Sequence, residues 1–179
     1  MENDEEIIKK IQKGQSDLFG VIVDRYQGKM ERYARKFLLN QGDINDIVQD
    51  IFIKAYTNIK GFDIKRKFSS WLYRIAHNHL VNHLRKRKII LPLLDWDTFF
   101  PHKEYDIEED INNQEIRDLI NRCLDKLTIK YREPLVLYYF QELSYREISD
   151  ILKIPVSTVG IRIKRAKQQM KNIWILEKK

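Results

Sequence analysis

Apolar residues recur three and four positions apart along most of this chain, and nowhere does a two-residue alternation persist. That spacing belongs to helices burying one face, whereas strands bury every second residue. Only 6 glycines and 4 prolines occur in 179 residues, so few turns can be built from them and a many-stranded fold is disfavoured. The expected fold class is therefore all-α. Hydrophobic residues make up 43% of the chain, enough for packed cores rather than global disorder.

The pattern divides the chain into two small helical domains. A first helix carries Ile7, Ile8 and Ile11 and stops at Gly14. Ser16 or Asp17 caps a second, predicted to reach about Leu39, and Asp43 caps a third over 43–59 with Tyr56 among its inward residues. A fourth, over 68–88, turns Trp71, Leu72, Ile75, Ala76, Leu80 and Leu84 inward, leaving Phe62 and Tyr73 off the apolar stripe. Clean periodicity then ceases around Pro92 and Pro101. We read residues 1–89 as one domain, 90–110 as a linker apolar enough to dock onto something, and 111–179 as a second domain.

Net charge is +7, which points to an anionic partner, and its distribution sharpens the point. Residues 60–88 hold nine Lys or Arg against Asp63, and residues 89–115 hold eight acids against Lys103. From Pro155 onward there are seven bases against Glu177. A merely soluble surface intersperses its charges more evenly. Cys123 is the one cysteine, so no internal disulfide can form; it lies in an apolar pattern and is expected to be a buried thiol in a reducing cytoplasm. The polar, acidic start is unlike a signal peptide, and no apolar run approaches the ~18 residues that span a membrane, so no direct membrane insertion is expected.

Three motifs carry the chemistry. Ser144 and Glu147 have capping-box spacing ahead of a short helix, Ile154-Pro155 forces a turn, and Ser157 and Thr158 open the next helix. Arg162, Lys164, Arg165 and Lys167 face out from it, the layout of a helix-turn-helix that enters a major groove. Asp46, Gln49, Asp50 and Lys54 share one face of the third helix, and composition alone reads them as solvent-facing. Between residues 62 and 88, aromatics interleave with bases: Phe62, Lys65, Arg66, Lys67, Tyr73, Arg74 and Arg85. Rings stack on unpaired bases and cations hold phosphates, as on single-strand binding surfaces. His79 and His83 lie one helical turn apart, but no carboxylate or cysteine in the sequence pattern completes a zinc site, so no metal and no cofactor is expected. Nor is there a nucleophile–base pair or phosphate loop, and no enzyme activity is expected.

The run Asp46-Ile-Val-Gln-Asp-Ile-Phe-Ile-Lys-Ala-Tyr56 resembles extracytoplasmic-function (ECF) sigma factors of the sigma-70 family. So do Phe68-Ser-Ser-Trp-Leu-Tyr-Arg-Ile-Ala-His-Asn78, Leu143-Ser-Tyr-Arg-Glu-Ile-Ser and Pro155-Val-Ser-Thr-Val159 with Arg162-Ile-Lys-Arg-Ala166. The likeness spans nearly the whole chain. It implies a sigma-2-like domain at 1–89 and a sigma-4-like helix-turn-helix domain at 111–179. Such a protein binds core RNA polymerase, recognises −35 and −10 promoter elements and helps melt the −10 region.

The resemblance also implies residue roles. Asp46, Gln49, Asp50 and Lys54 would dock on the β′ clamp helices, overturning the solvent reading. Phe62, Lys65, Arg66, Lys67, Tyr73, Arg74, Asn78 and Arg85 would meet the −10 DNA, with Phe62 and Asn78 helping to capture a flipped base. Ser157, Thr158, Arg162, Lys164 and Arg165 would read the −35 duplex, and the linker would thread toward the RNA exit path. Core polymerase (β′ clamp helices and β flap), promoter DNA and an anti-sigma protein are the implied partners, the last able to hold a cytoplasmic protein near the membrane. The family often has a basic residue where this chain has Gly160. Glycine there costs ~1 kcal/mol of helix propensity and leaves the −35 preference open. Three rivals are a stand-alone helix-turn-helix regulator, a polymerase-binding protein that has lost promoter reading, and a basic membrane-surface protein. The first leaves the N-terminal half unexplained, and the third lacks an amphipathic helix with a purely basic polar face.

Overall fold

The computed structural model describes residues 2–86 and 114–177. The expected linker at 90–110 and the end of the basic run at 87–88 lie outside the described residues. Eight α-helices and no strand occur among them: α1 (Asp4–Gln12), α2 (Phe19–Ala34), α3 (Gln41–Asn58), α4 (Phe68–Lys86), α5 (Gln114–Asp125), α6 (Ile129–Tyr139), α7 (Tyr145–Leu152) and α8 (Val156–Glu177).

Local chemistry sets most helix ends. The Asn3 side chain accepts from the Glu6 amide at 2.8 Å, while the Glu6 carboxylate accepts from the Asn3 amide at 3.2 Å. This reciprocal cap satisfies amides that α1 cannot pair internally. Gly14 follows at φ 108, a left-handed conformation that glycine adopts without strain. Two expected caps differ from those found. The second helix begins from a short 3-10 turn, Ser16–Leu18, with no side-chain cap, and α3 is capped by Asn40, whose Oδ1 accepts from the Asp43 amide at 3.2 Å. Asn40 wins because it lies at the helix entrance in an extended conformation, whereas Asp43 is already inside the first turn. α2 stops at Ala34, short of Leu39, because the Phe37 and Leu38 amides both turn back onto the Ala34 carbonyl, burying Leu38 and exposing Leu39.

Helices α1–α4 close over Ile8, Ile22, Met30, Tyr33, Ile51 and Leu72, each essentially inaccessible. A buried aliphatic side chain of this size contributes about 1.5–3 kcal/mol. Two polar side chains fasten this layer from α1. Gln12 donates to the Ile59 and Phe62 carbonyls, both at 2.8 Å, and Glu5 accepts from the Phe68 amide at 2.9 Å, capping the start of α4 through space. Helices α5–α8 enclose Cys123, Leu124, Leu127, Val136, Ile148 and Val159, so the thiol is buried as expected. α7 lies against α4, and the buried apolar residues of the two groups form one continuous cluster.

Glu5→Ala is expected to destabilise the fold by about 1 kcal/mol, the usual cost of a lost helix cap, as read from urea unfolding followed by circular dichroism. An unchanged midpoint would mean that the α4 amide is equally well served by water.

Candidate nucleic-acid and polymerase interfaces

On α3 the apolar positions face inward, and their complement forms a single exposed stripe. It holds Asp46, Gln49, Asp50 and Lys54, at helical spacings of three and four. The structure adds Ile53, which the sequence reading left unplaced, and Tyr56, which periodicity misplaced. Ile53 is 54% exposed within this stripe, and Tyr56, expected inside, is exposed while its ring edge packs on Phe19 at 5.0 Å. An apolar side chain uncovered among polar ones suits a partner surface better than water. The available signal was that Ile53 falls out of step with its inward neighbours.

The segment leading into α4 displays its cations. Lys65, Arg66 and Lys67 are exposed, and Asp63 Oδ1 accepts from the Lys65 amide at 3.0 Å, shaping the turn. Farther along α4, Asn78 and Arg85 are exposed and Arg74 is half-buried, spaced so that they share a face. Phe62 and Tyr73 do not stand off the core as their positions predicted. Phe62 is 5% exposed, packed 5.6 Å from Phe68 and 5.1 Å from Trp71. Tyr73 is 3% exposed, and its hydroxyl donates to Gln141 of the C-terminal group at 2.5 Å. The helical wheel of α4 alone could not register Phe62, which the preceding turn folds back, or the second group that covers Tyr73. Burial pushes the Tyr73 hydroxyl above its ordinary pKa, so it stays a donor.

In the C-terminal group, the helix-turn-helix is built as the sequence anticipates. Ser144 and Glu147 form the capping box of α7, and the Glu147 carboxylate accepts from the Ser144 amide at 2.9 Å. Lys153 ends α7 at φ 56, and Val159 and Ile163 seat α8. Ser157, Lys164 and Arg165 lie on the exposed side, and Thr158 is half-buried. Ile161 is exposed too. Arg162, expected to face out, is half-buried, and its Nε is enclosed without a hydrogen-bond partner among the described residues. Gly160 lies beneath the Tyr145 ring, where an added Cβ would meet Cε2 at 3.4 Å, an ordinary contact.

The two groups meet through polar contacts as well as the shared core. Glu133 of α6, 3% exposed, accepts from the Tyr33 hydroxyl at 2.5 Å, and the same oxygen lies 2.6 Å from His77 Nδ1. Burial and the adjacent Glu133 push the Tyr33 hydroxyl far above its ordinary pKa, keeping it a donor. Lys67 Nζ donates to Glu147 at 2.9 Å. Burial pushes Glu147 upward, but bonds from Ser144 and Lys67 outweigh it and hold the carboxyl below the usual carboxylate range. Beside His77 and Glu133, a cleft of about 230 Å³ is lined by Arg85, Lys130, Pro134 and Arg162. The carboxylate near His77 thus comes from the other half, outside the reach of local spacing. Among the described residues no three His, Cys, Asp or Glu side chains gather as a metal site would need, and no helix is long and apolar enough to cross a membrane.

Residues 22–89 match the family described as Sigma-70 region 2, and residues 117–170 match Sigma-70, region 4. The ECF RNA polymerase sigma factor SigW of Bacillus subtilis (strain 168) is 39% identical over 173 residues, covering 92% of each chain. The chain belongs to the ECF sigma factors of the sigma-70 family. The ECF RNA polymerase sigma-E factor of Escherichia coli (strain K12) is 33% identical over 178 residues, covering 94% of this chain and 93% of its own. CnrH, solved in complex with the cytosolic domain of CnrY, superposes with a TM-score of 0.73 at 25% identity, covering 95% of this chain and 96% of its own. The sigma factor RpoE of Bartonella quintana, solved with the anti-sigma factor NepR, shares the fold at a TM-score of 0.68 and 21% identity, over 87% of this chain and 95% of its own.

This ECF sigma factor is a transcription initiation factor, a two-domain all-α protein that directs RNA polymerase to promoter DNA. The region 2 match begins within α2, so α1 lies ahead of it, and the region 4 match takes in the helix-turn-helix of α7 and α8.

Gly160→Ala is expected to stabilise the sigma factor by up to about 1 kcal/mol, because alanine relieves the helix-propensity cost and its methyl fits against Tyr145. A thermal melt of the variant checks this; a lowered Tm would show that the Tyr145 ring needs the room.

Proposed function

We propose that this sigma factor engages core polymerase through Asp46, Gln49, Asp50 and Lys54 of α3, docked on the β′ clamp helices. The observation that carries the reading is Ile53, uncovered in the middle of that acidic stripe. An exposed apolar side chain flanked by Gln49, Asp50 and Lys54 matches the anatomy of a protein interface, with an apolar centre and a polar rim. The β flap is the contact we assign to the region 4 domain.

Promoter DNA is read at two places in this proposal. Lys65, Arg66, Lys67, Arg74, Asn78 and Arg85 hold the melted −10 strand, their cations on phosphates and Asn78 on an extruded base. Phe62 supports the turn from the core, and Tyr73 reaches DNA only after Gln141 withdraws. Ser157, Thr158, Arg162, Lys164 and Arg165 contact the −35 duplex from α8, the phosphate contacts giving affinity and the base edges giving sequence. Each domain alone binds weakly, and core polymerase makes the second contact intramolecular. No hydrolysis by the sigma subunit is required. The domains extend over 1–89 and 111–179, with 90–110 joining them. An anti-sigma protein is a further partner, by likeness to the RpoE chain solved with NepR, and would set where in the cell the cytoplasmic factor is held.

Run-off transcription with purified core polymerase and a pool of promoter fragments tests these assignments. Asp50→Arg is expected to abolish core binding in pull-down and the transcript with it, while circular dichroism remains that of the wild type. Lys164→Ala is expected to weaken duplex binding across sequences and reduce the slope of log K against log salt by about one. Full transcription from both variants would remove these residues from the interfaces assigned to them.

A further inference from the structure

The outward face of α8 is polar at its edges and apolar at its centre. Val159, Ile163 and Ala166 seat the helix, all at 2% exposure or less, and helical geometry points Ile161 almost directly away from them. Ser157 and Lys164 lie to one side of Ile161 and Arg165 to the other, all three exposed. Ile161 itself is 53% exposed between them. A lone apolar side chain on an ordinary surface needs no explanation. Here the location carries the weight, because the residues that frame it are those assigned to the −35 duplex. Gly160, next in the chain, adds no side chain that would hold a partner off. The cations beside Ile161 favour a polyanion over a protein surface as the occupant of this face.

A helix laid in a major groove sets the middle of its outward face on base edges and its flanks nearer the phosphates. Lys164 and Arg165 can meet phosphates or the acceptors of guanine, and the Ser157 hydroxyl can donate or accept. Ile161 can do neither. Set against the amino group of cytosine or adenine, or the carbonyl of guanine, it strips water from a polar atom and returns no hydrogen bond. The groove offers one apolar group, the C5-methyl of thymine. We propose that Ile161 is a specificity-determining residue of this sigma factor, reading a thymine of the −35 element by packing on its methyl group. The proposal rests on the assignment of α8 to that duplex and adds which base the centre of the helix selects. Because the contact carries no charge, the preference it gives does not weaken with salt, whereas the affinity supplied by Lys164 does.

Exchanging thymidine for deoxyuridine removes the methyl and leaves every hydrogen-bonding atom in place, so it isolates this contact. Holoenzyme assembled from core polymerase and the full chain selects duplexes from a pool randomised over the −35 region. Each enriched thymine, on either strand, is then exchanged singly for uracil. At one of them the wild type is expected to lose about fourfold in affinity, the worth of one buried methyl, and that ratio is expected to hold as salt is raised. Ile161→Ala, a change at an exposed position, is expected to keep the wild-type circular dichroism and to bind the thymine and uracil duplexes alike. Ile161→Val is expected to retain part of the discrimination. Enrichment without any thymine overturns the proposal, as does a wild type indifferent to uracil at every position or an Ile161→Ala holoenzyme that discriminates as the wild type does. So does loss of core polymerase from Ile161→Ala in pull-down with the two duplexes bound alike by the wild type, which would give this face to a protein. Lys164→Ala separates the two levels. If it weakens binding to the selected duplex while uracil costs the wild type nothing, this inference alone falls; selected duplexes indifferent to alanine at Ser157, Lys164 and Arg165 remove the −35 assignment and this inference with it.

Discussion

The shortest helices of this protein cannot stand alone, and that constraint organises much of the rest. α7 has eight residues and α1 has nine, well below the length at which isolated helices persist in water. Each exists because one apolar face is covered by a neighbour and its ends are capped. Ile148 and Ile151 on α7 are sealed by the rest of the C-terminal group, and α7 lies along α4. The cores of the two groups therefore merge rather than stand as separate spheres.

Helix type and most inward positions were legible in the sequence because they follow from spacing alone. Ile7, Ile8 and Ile11, or Ile148 and Ile151, declare their burial without reference to anything distant. The capping box at Ser144 was legible for the same reason, being complete within four residues. Helix ends were less so: α2 ends where Phe37 and Leu38 turn back on Ala34, and no glycine or proline announces it.

The contacts that position the candidate surfaces were hidden because they join residues far apart in the chain. Tyr33 meets Glu133 across a separation of 100 residues, and Tyr73 meets Gln141 across 68. A wheel drawn for α4 treats Tyr73 as outward, but its ring packs edge-on against Tyr33 of α2 and its hydroxyl meets Gln141 in the turn after α6. Phe62 escaped in another way. It lies before the helix, so its angle on the wheel has no meaning, and its place beside Phe68 and Trp71 is set by the turn held by Gln12. In both cases local pattern was overruled by what packs on top.

The bond from the Phe68 amide to Glu5 ties the start of α4 to α1, upstream of the region 2 match that begins at residue 22. A fragment trimmed to the matched region would keep every basic side chain of α4 and yet lack both the carboxylate that finishes its first turn and the glutamine that braces the loop before it. Its α4 would fray at the entrance, where Lys65, Arg66 and Lys67 are displayed. α1, outside the matched domain, thus acts as a brace for the entrance of α4.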